Sequence, residues 1–313
     1  MKKIGRLFFK ILCVIGIFFL TAEVGLRLAG SYRSIYLVEM WRYGNNHKES
    51  VSDRRRHRHR PGTKSEVMGH PVSINAIGLR APEFTFAPAK KRMLVVGDSI
   101  TFGFGVAENE AYPKLLEAAL PGWEVWNAGV GNYNTEQELE QFLQLAPVIK
   151  PHALLMGFFI NDLEPPQHQQ GWGLGRYSLV VSLPNQIYWV WNTPHANDYA
   201  EYHRQLFWQE FPRWKNVVLE LKGAAGRERI PLTVLLIPEL RGLRSEAFKA
   251  EYEAVEKFLR ENGIAPCRGD RYFPRDGDSL GREYWAARDD SHPNAAGHDL
   301  LARAAIDCIR DLP

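Results

Sequence analysis

The amino-acid sequence predicts an N-terminal membrane helix followed by a three-layer α/β/α sandwich on a parallel sheet of about five strands. Three observations predict this fold class. The chain opens with a cationic segment and a long apolar run, short apolar runs recur from residue 93 onward, and amphipathic stretches separate those runs. Short apolar runs without polar alternation are typical of strands buried on both faces of a parallel sheet, and their alternation with helices favours an α/β arrangement.

The length and net charge of the chain limit the number of domains and the kinds of partner that can be expected. The chain has 313 residues, 45% of them hydrophobic, and a formal net charge of +3. A chain of this length can bury a large core, which favours one large domain with additions over two equal domains. The nearly balanced charge gives no reason to expect a nucleic acid as a partner.

Residues 1–30 are predicted to be a transmembrane signal anchor. The apolar stretch 7–28 is long enough to cross a bilayer at about 1.5 Å per residue. A cleaved signal peptide is the alternative, although the sequence after Leu20 is a poor cleavage site. The four cations among the first ten residues favour a cytoplasmic N terminus. We therefore expect a single pass through the inner (cytoplasmic) membrane, with the rest of the chain on the exported (periplasmic or extracellular) side.

Residues 31–90 are predicted to be a linker with short β segments. The stretch 72–84, VSINAIGLRAPEF, alternates weakly in polarity and contains turn signals at Asn75 and Gly78. The basic run at 53–60, DRRRHRHR, is interpreted as solvated, with contact to lipid phosphates as the alternative.

Residues 91–313 carry the repeating strand and helix pattern of one domain. Strands are predicted at 93–97, 123–129, 153–159, 231–238 and, more weakly, 264–268. Helices are predicted at 110–120, 135–146, 212–226, 245–261 and 294–310. Cys267 and Cys308 either pair in an oxidising compartment or remain as buried thiols.

Polar motifs follow the predicted strands, at the edge where ligands bind in open α/β sheets. Gly97-Asp98-Ser99 follows the first strand, NAGVGNYNT at 127–135 follows the second, and Asn161-Asp162 follows the third. The sequence DDSHPN at 289–294 lies near the chain end. Each motif alone is a weak signal, but their order along the fold indicates one composite site.

The residue types in these motifs indicate nucleophilic acyl transfer. A serine hydroxyl needs an adjacent base, and a carboxylate then fixes the tautomer of that base. Ser99 is the predicted nucleophile and His292 its base. Asp289 is the favoured carboxylate, because a spacing of three places both side chains on one face of a helical turn. Asp290 stays open, because the proline that follows His292 favours an extended conformation in which a spacing of two also works.

The same chemistry requires donors for the oxyanion that forms on the substrate carbonyl. A well-placed donor contributes about 3 kcal/mol to the transition state. The candidates are the backbone N–H of Ser99, a backbone N–H of the second motif at Gly131 or Asn132, and the side-chain amide of Asn161.

The four blocks GDSIT, NAGVGNYNT, FIND and DDSHPN resemble those of the SGNH (GDSL-like) hydrolases. The resemblance covers about residues 93–310. It implies a flavodoxin-like sheet, a Ser-His-Asp triad, an oxyanion hole and neither a metal nor an organic cofactor. More loosely, the apolar N terminus and the INAIGLR segment resemble the membrane-anchored bacterial branch. Two positions depart from the family pattern: Asn132 and Phe159 stand where glycines are usual. Asn tolerates left-handed backbone angles, so the amide at 132 can keep its direction.

The function expected from these residues is that of a serine esterase. Its substrate would be an ester-linked acyl group, such as acetyl, on a cell-envelope or extracellular glycan or on a lipid. An O-acyltransferase acting on glycans would use the same triad, and a non-catalytic glycan-binding module is a further alternative. The aromatic-rich insertion at 164–211 is interpreted either as a lid or wall over Ser99 or as a small satellite core.

Overall fold

The computed structural model describes residues 2–32, 35–83, 85, 90–166, 175, 177–192, 199–243, 247–278 and 281–310. The side chains of residues 2, 30–32, 185–186 and 188–192 lie outside this description. Helices of the described part are α1 (Lys2–Tyr32), α2 (Tyr36–His47), α3 (Ser99–Phe102), α4 (Tyr112–Ala119), α5 (Thr135–Ile149), α6 (Leu179–Asn192), α7 (Tyr199–Arg227), α8 (Lys249–Glu261) and α9 (Ala295–Ile309). Strands are β1 (Lys48–Ser50), β2 (His57–His59), β3 (Lys64–Val67), β4 (His70–Ser73), β5 (Lys91–Val96), β6 (Trp123–Asn127), β7 (Ala153–Phe158), β8 (Leu232–Leu236), β9 (Ala265–Arg268), β10 (Trp285–Ala287) and β11 (Asp290–Pro293).

The central sheet has five parallel strands in the order β6-β5-β7-β8-β9. Numbered by their order within the sheet, these strands run 2-1-3-4-5, which is the flavodoxin-like order. Every residue of the central strand β7 is buried, as the lack of polar alternation predicts. The order of the strands reverses between β5 and β7, so the crevice for a ligand lies at their carboxyl ends.

Helices cover both faces of the sheet and complete the three predicted layers. One face packs against α5, α7 and α8, through a core that contains Phe142, Trp214 and Val255. The other face packs against α4 and α9, through a core that contains Leu116 and Leu301. Each fully buried large apolar side chain contributes roughly 1.5–3 kcal/mol, so these two cores hold the strand ends in fixed positions. The α/β/α sandwich predicted from the sequence is confirmed.

Helix α1 exposes its apolar surface along its length. Its segment Lys3–Ala29 is long and apolar enough to cross a membrane by length and composition, and none of it is buried in the fold. Phe8 and Phe18 are 63% and 66% exposed. An exposed apolar surface of this extent is typical of a segment that contacts lipid or another protein. Helix α1 is therefore consistent with a membrane anchor.

The segment between α1 and the sheet contains α2 and two antiparallel hairpins, β1–β2 and β3–β4. The solvated interpretation of the basic run is wrong for β2, because His57 and His59 are only 0% and 1% exposed. Alternate residues of a strand share one face, and this face of β2 lies against the sandwich. The turn signals at Asn75 and Gly78 are confirmed: Asn75 Oδ1 accepts the Leu79 N–H at 3.0 Å, and Gly78 has φ 85°.

The insertion at 164–211 contributes α6 and the first half of α7. Trp172 and the side chains of Tyr188, Trp189 and Trp191 lie outside the described residues. Phe207 is fully buried in the main core, so the described part of the insertion is not a separate satellite core. Helix α6 contacts α1 and α2, and Glu23 of α1 accepts the Val180 N–H at its start.

The two cysteines of the sandwich are paired. Cys267 in β9 and Cys308 in α9 form a disulfide with their Cα atoms 5.8 Å apart. Such bonds persist in oxidising compartments and are rare in the cytosol.

Candidate active site

Ser99 lies at the carboxyl end of β5, where the chain turns sharply into α3. Asp98 caps this helix through Oδ1, which accepts the Ile100 N–H at 2.8 Å. A Cβ at Gly97 would lie 2.0 Å from Thr101 Oγ1, so only glycine permits the turn. The turn places the Ser99 side chain in the crevice between β5 and β7. Ser99 is 7% exposed. Asp98 therefore supports the loop, as expected from a capping residue.

His292 lies within hydrogen-bond reach of the predicted nucleophile. Its Nε2 is 2.7 Å from Ser99 Oγ, and its Nδ1 is 2.5 Å from Asp290 Oδ1. The same carboxylate oxygen accepts the His292 backbone N–H at 3.0 Å. The imidazole thus bridges a hydroxyl and a buried carboxylate, which is the arrangement that the chemistry of a serine nucleophile requires.

The preference for Asp289 as the partner of His292 is wrong. Asp289 is exposed, and its Oδ2 accepts the backbone N–H of Tyr36 at 3.2 Å. The reason is local conformation: Asp290–Pro293 forms β11, which pairs with β10, and residues two apart on a strand point to the same face. A spacing of three would have required a helical turn. The structure instead adopts the extended conformation, in which a spacing of two brings Asp290 to His292.

Asp290 and His292 shift each other's protonation. Burial alone would raise the pKa of Asp290, but the attraction and hydrogen bonds of His292 outweigh burial and lower the pKa. Burial alone would lower the pKa of His292, but Asp290 outweighs it and raises the pKa above the usual value. The rings of Tyr36 and Phe104 lie 5.9 and 5.0 Å from the imidazole ring and limit its contact with water. The pair is arranged to stabilise an imidazolium cation.

Of the two positions predicted for the backbone donor of the second motif, Gly131 and Asn132, only Asn132 remains a candidate. The Gly131 N–H donates to the hydroxyl of Tyr43 at 2.8 Å, so Gly131 is not available as a donor. Asn132 adopts the expected left-handed conformation with φ 65°. Its backbone N–H has no hydrogen-bond partner among the described residues. The turn packs on the nucleophile loop, where the Val130 N–H donates to Gly97 O at 3.0 Å.

Asn161 follows β7 in a short 3-10 helix, Ile160–Leu163. Its Nδ2 donates to Asp98 Oδ2 at 3.3 Å, so the amide lies beside the nucleophile loop. The amide nitrogen carries two hydrogens, and one remains for a ligand. Phe159 precedes this turn and donates its N–H to Asp162 Oδ2 at 3.2 Å. Ser99, Asn132, Asn161, Asp290 and His292 are thus the predicted residues that the fold brings to one edge.

Sequence reasoning missed the residues that hold these loops from the N-terminal side. Arg80 is 2% exposed, and its guanidinium donates to Gly103 O at 2.6 Å and to Val106 O at 2.7 Å, just beyond α3. The INAIGLR segment contains Arg80, but nothing in its local pattern indicates a buried cation. The second motif is held from the same segment: the Tyr43 hydroxyl accepts the Gly131 N–H, and Lys48 and His57 contact the Gly131 carbonyl oxygen. Burial lowers the pKa of Lys48 to about 7.

Metal-ligating side chains are not clustered in the part of the chain that the structure describes. Within it, no group of three or more His, Cys, Asp or Glu residues could hold a metal ion. The polar groups at the site are a hydroxyl, an imidazole, a carboxylate and amide donors. This set is suited to nucleophilic attack on a carbonyl carbon.

Comparison with known proteins identifies the family of this chain. The family model of the GDSL-like lipase/acylhydrolase family matches residues 95–300, about two thirds of the chain. A solved structure of phospholipase A1 from Streptomyces albidoflavus NA297 is 15% identical, with a TM-score of 0.50 over 70% of this chain and 100% of that one. A lipolytic G-D-S-L family member from Veillonella parvula DSM 2008 is 14% identical, with a TM-score of 0.46 over 71% and 100% of the two chains. No curated protein sequence matches this chain. By the extent of the family match, the chain belongs to the GDSL-like lipase/acylhydrolase (SGNH) family of ester-hydrolysing enzymes.

Proposed function

We propose that this enzyme is a membrane-anchored serine esterase in which Ser99, His292 and Asp290 form the catalytic triad. The observation that carries this assignment is the continuous contact from Ser99 Oγ to His292 Nε2 at 2.7 Å and from Nδ1 to Asp290 at 2.5 Å. A base placed on the hydroxyl and oriented by a carboxylate is what activates serine near neutral pH. The raised pKa of His292 agrees with a base that accepts a proton in the transition state.

The reaction follows from these contacts. Ser99 Oγ attacks the ester carbonyl carbon while His292 Nε2 takes the hydroxyl proton, and Asp290 stabilises the resulting cation. The tetrahedral intermediate collapses when the imidazolium gives that proton to the departing alkoxide, which leaves as an alcohol. A water molecule, deprotonated by the same imidazole, then attacks the acyl-enzyme. The bond from the acyl carbon to Ser99 Oγ breaks, the imidazolium returns its proton to Oγ, and the carboxylic acid is released.

Three donors are proposed for the oxyanion: the backbone N–H groups of Ser99 and Asn132 and the Nδ2 of Asn161. They come from three loops that follow β5, β6 and β7, at the carboxyl edge of adjacent strands. Because the loops are fixed by buried strands, the donors need no reorganisation as charge develops.

The position of the anchor supports an ester substrate presented at the membrane surface. Helix α1 ends at Tyr32, and Tyr36, whose ring lies 5.9 Å from that of His292, follows four residues later. Four residues span at most about 14 Å, so the catalytic histidine lies close to the end of the anchor. We therefore propose an acyl ester of a lipid or of a membrane-proximal glycan as the substrate.

The exported side is proposed for the catalytic domain. The four N-terminal cations favour a cytoplasmic N terminus, and the Cys267–Cys308 disulfide suits an oxidising compartment. In a bacterium, this topology corresponds to the inner membrane with the domain in the periplasm or outside the cell.

Ser99→Ala tests the triad directly. The variant should lose hydrolysis of short acyl esters by about 10³-fold or more and should not react with a fluorophosphonate probe. Ser291→Ala is the matched control, because this serine lies next to His292 but has no part in the proposed triad. It should label and turn over like the wild type. A folded Ser99→Ala protein that still hydrolyses esters would overturn the assignment.

A further inference from the structure

The peptide group between Gly131 and Asn132 is held by side chains from the N-terminal segment. Lys48 Nζ donates to Gly131 O at 2.5 Å and to Asn132 Oδ1 at 2.9 Å. His57 Nε2 lies 3.1 Å from the same carbonyl oxygen. Lys48 is 2% exposed, and an ammonium group is buried at a high free-energy cost unless strong partners compensate. The fold therefore places a buried lysine, a strong hydrogen-bond donor, against this one peptide.

Tyr43 holds the other side of Gly131. Its hydroxyl accepts the Gly131 N–H at 2.8 Å, and Lys48 Nζ lies 4.7 Å from the centroid of its ring. A Cβ at Gly131 would lie only 2.6 Å from Tyr43 Cε1, so glycine is needed for the ring to approach. Both polar groups of Gly131 thus have partners in residues 43–57, which leaves the chain little freedom to rotate here.

The direction of the Asn132 N–H follows from this anchoring. The structure contains no cis peptide bond among its described residues, and in a trans peptide the N–H points opposite to the C=O. Because Gly131 O points at Lys48 and His57, the N–H of Asn132 points away from them. A hydrogen bond donated to the carbonyl oxygen also polarises the peptide and makes its N–H a stronger donor.

The side chain of Asn132 has a matching role. A φ of 65° is sparsely populated by non-glycine residues, although Asn adopts it more readily than most. The bond from Lys48 to Oδ1 helps to stabilise this conformation, and a glycine could not accept it. This contact gives a physical reason for an asparagine where the family usually has glycine.

We propose that Lys48, supported by Tyr43, is a positioning residue that orients and polarises the Gly131–Asn132 peptide so that the Asn132 N–H serves the oxyanion. The inference rests on the proposed role of that N–H in ester hydrolysis. It makes the N-terminal segment part of the catalytic machinery. Lys48 itself does not touch the substrate.

Lys48→Met tests the proposal, because it keeps the approximate length of the side chain and removes the Nζ donor. In the full-length protein, kcat for a short acyl ester should fall about 10–100-fold while KM changes less than twofold, since the group acts through the transition state. The rate of fluorophosphonate labelling should fall in parallel. Lys91→Met is the matched control: its ammonium also lies over an aromatic ring, that of Trp123, but at the start of β5, away from the site. Its kcat should equal that of the wild type.

Asn132→Gly separates the two contacts of Lys48. If Lys48 acts mainly through the Gly131 carbonyl, Lys48→Met should still lower kcat in the Asn132→Gly background. If both single variants and the double variant have the same kcat, Lys48 Nζ acts only through the Asn132 side chain, and the proposed action on the carbonyl is wrong.

A folded Lys48→Met enzyme with wild-type kcat would overturn the inference. If Lys48→Met does not fold, Tyr43→Phe replaces it, and wild-type kcat in that variant has the same meaning. The kcat values of Ser99→Ala and Asn161→Ala, measured in the same assay, distinguish failure of the proposed esterase mechanism from failure of the positioning role. Normal turnover in Ser99→Ala refutes the esterase mechanism, whereas loss in both with none in Lys48→Met refutes only the positioning role.

Discussion

Replacement of Asp290 by asparagine gives the sharpest test of the triad. Asn keeps the shape of the side chain but removes the charge that faces His292 Nδ1 at 2.5 Å. The amide nitrogen would also favour the wrong tautomer of the imidazole if it turned toward Nδ1. The variant should therefore fold, because the burial of the side chain is retained, and should fail in the step that creates the imidazolium.

The size of the loss can be estimated from the distance. Opposite unit charges separated by about 2.5–4 Å attract by roughly 4–7 kcal/mol at an effective dielectric constant near 20. This attraction is present only while His292 carries a proton, so it falls on the transition state. At about 1.4 kcal/mol for each factor of ten, kcat should fall about 10³–10⁵-fold.

The assay compares kcat of Asp290→Asn and Asp289→Asn on one short acyl ester, with the melting temperature of each preparation. Asp289→Asn is the matched control, because Asp289 is the adjacent exposed carboxylate whose partner is the Tyr36 backbone N–H. Its kcat should stay within about fivefold of wild type, since it touches no reacting group. Equal mild losses from both substitutions would refute the triad, and a larger loss from Asp289→Asn would refute the choice of Asp290.

The pH profile gives a second reading of the same pair. Neutral His292 is the active base, so activity is lost as the pH falls through its pKa. Burial lowers this pKa but Asp290 raises it more, so the net shift is upward. Without the Asp290 charge, burial lowers the pKa of His292 and that carboxylate no longer raises it. The acid limb of the residual activity should therefore move to lower pH. An unmoved acid limb would mean that Asp290 does not set the protonation of the base.

Two further predictions concern the oxyanion and the anchor. Asn161→Ala should lower kcat about 10²–10³-fold with little change in KM, because Nδ2 is proposed to meet charge only in the transition state. A destabilised Asn161→Ala protein with full kcat would instead show that the amide only supports the loop through Asp98. The full-length protein should remain with membranes through high-salt and carbonate washing, and protease should reach its catalytic domain only from the exported side, because α1 exposes an apolar span from Lys3 to Ala29. Release of a shortened soluble form would indicate a cleaved signal peptide, and a variant without residues 1–30 provides the soluble reference.

The strands and helices of the sandwich could be predicted because the pattern of apolar residues within each segment indicates which of its faces are buried. Strands covered on both faces must be apolar throughout, and β5, β6, β7 and β8 all lie within the predicted runs or extend them by two residues at most. Helix α7 was harder to delimit. It begins at Tyr199, thirteen residues before the predicted start, because its aromatic first half looked like an insertion although Phe207 packs in the main core.

The sequence by itself determined the order of the strands and helices of the sandwich, the apolar N-terminal helix and the motifs that end at one edge of the sheet. Tertiary structure alone decided which of two neighbouring carboxylates meets His292, because the pairing of β11 with β10 sets the face of Asp290. It also decided that the Gly131 amide is used by Tyr43 and that Lys48 reaches the Gly131 carbonyl across 83 residues of sequence. Periodicity is a property of short segments, whereas a hydrogen bond between distant residues depends on how whole elements pack. For that reason the proposed catalytic serine and histidine could be predicted from local motifs, and the residues that position them could not.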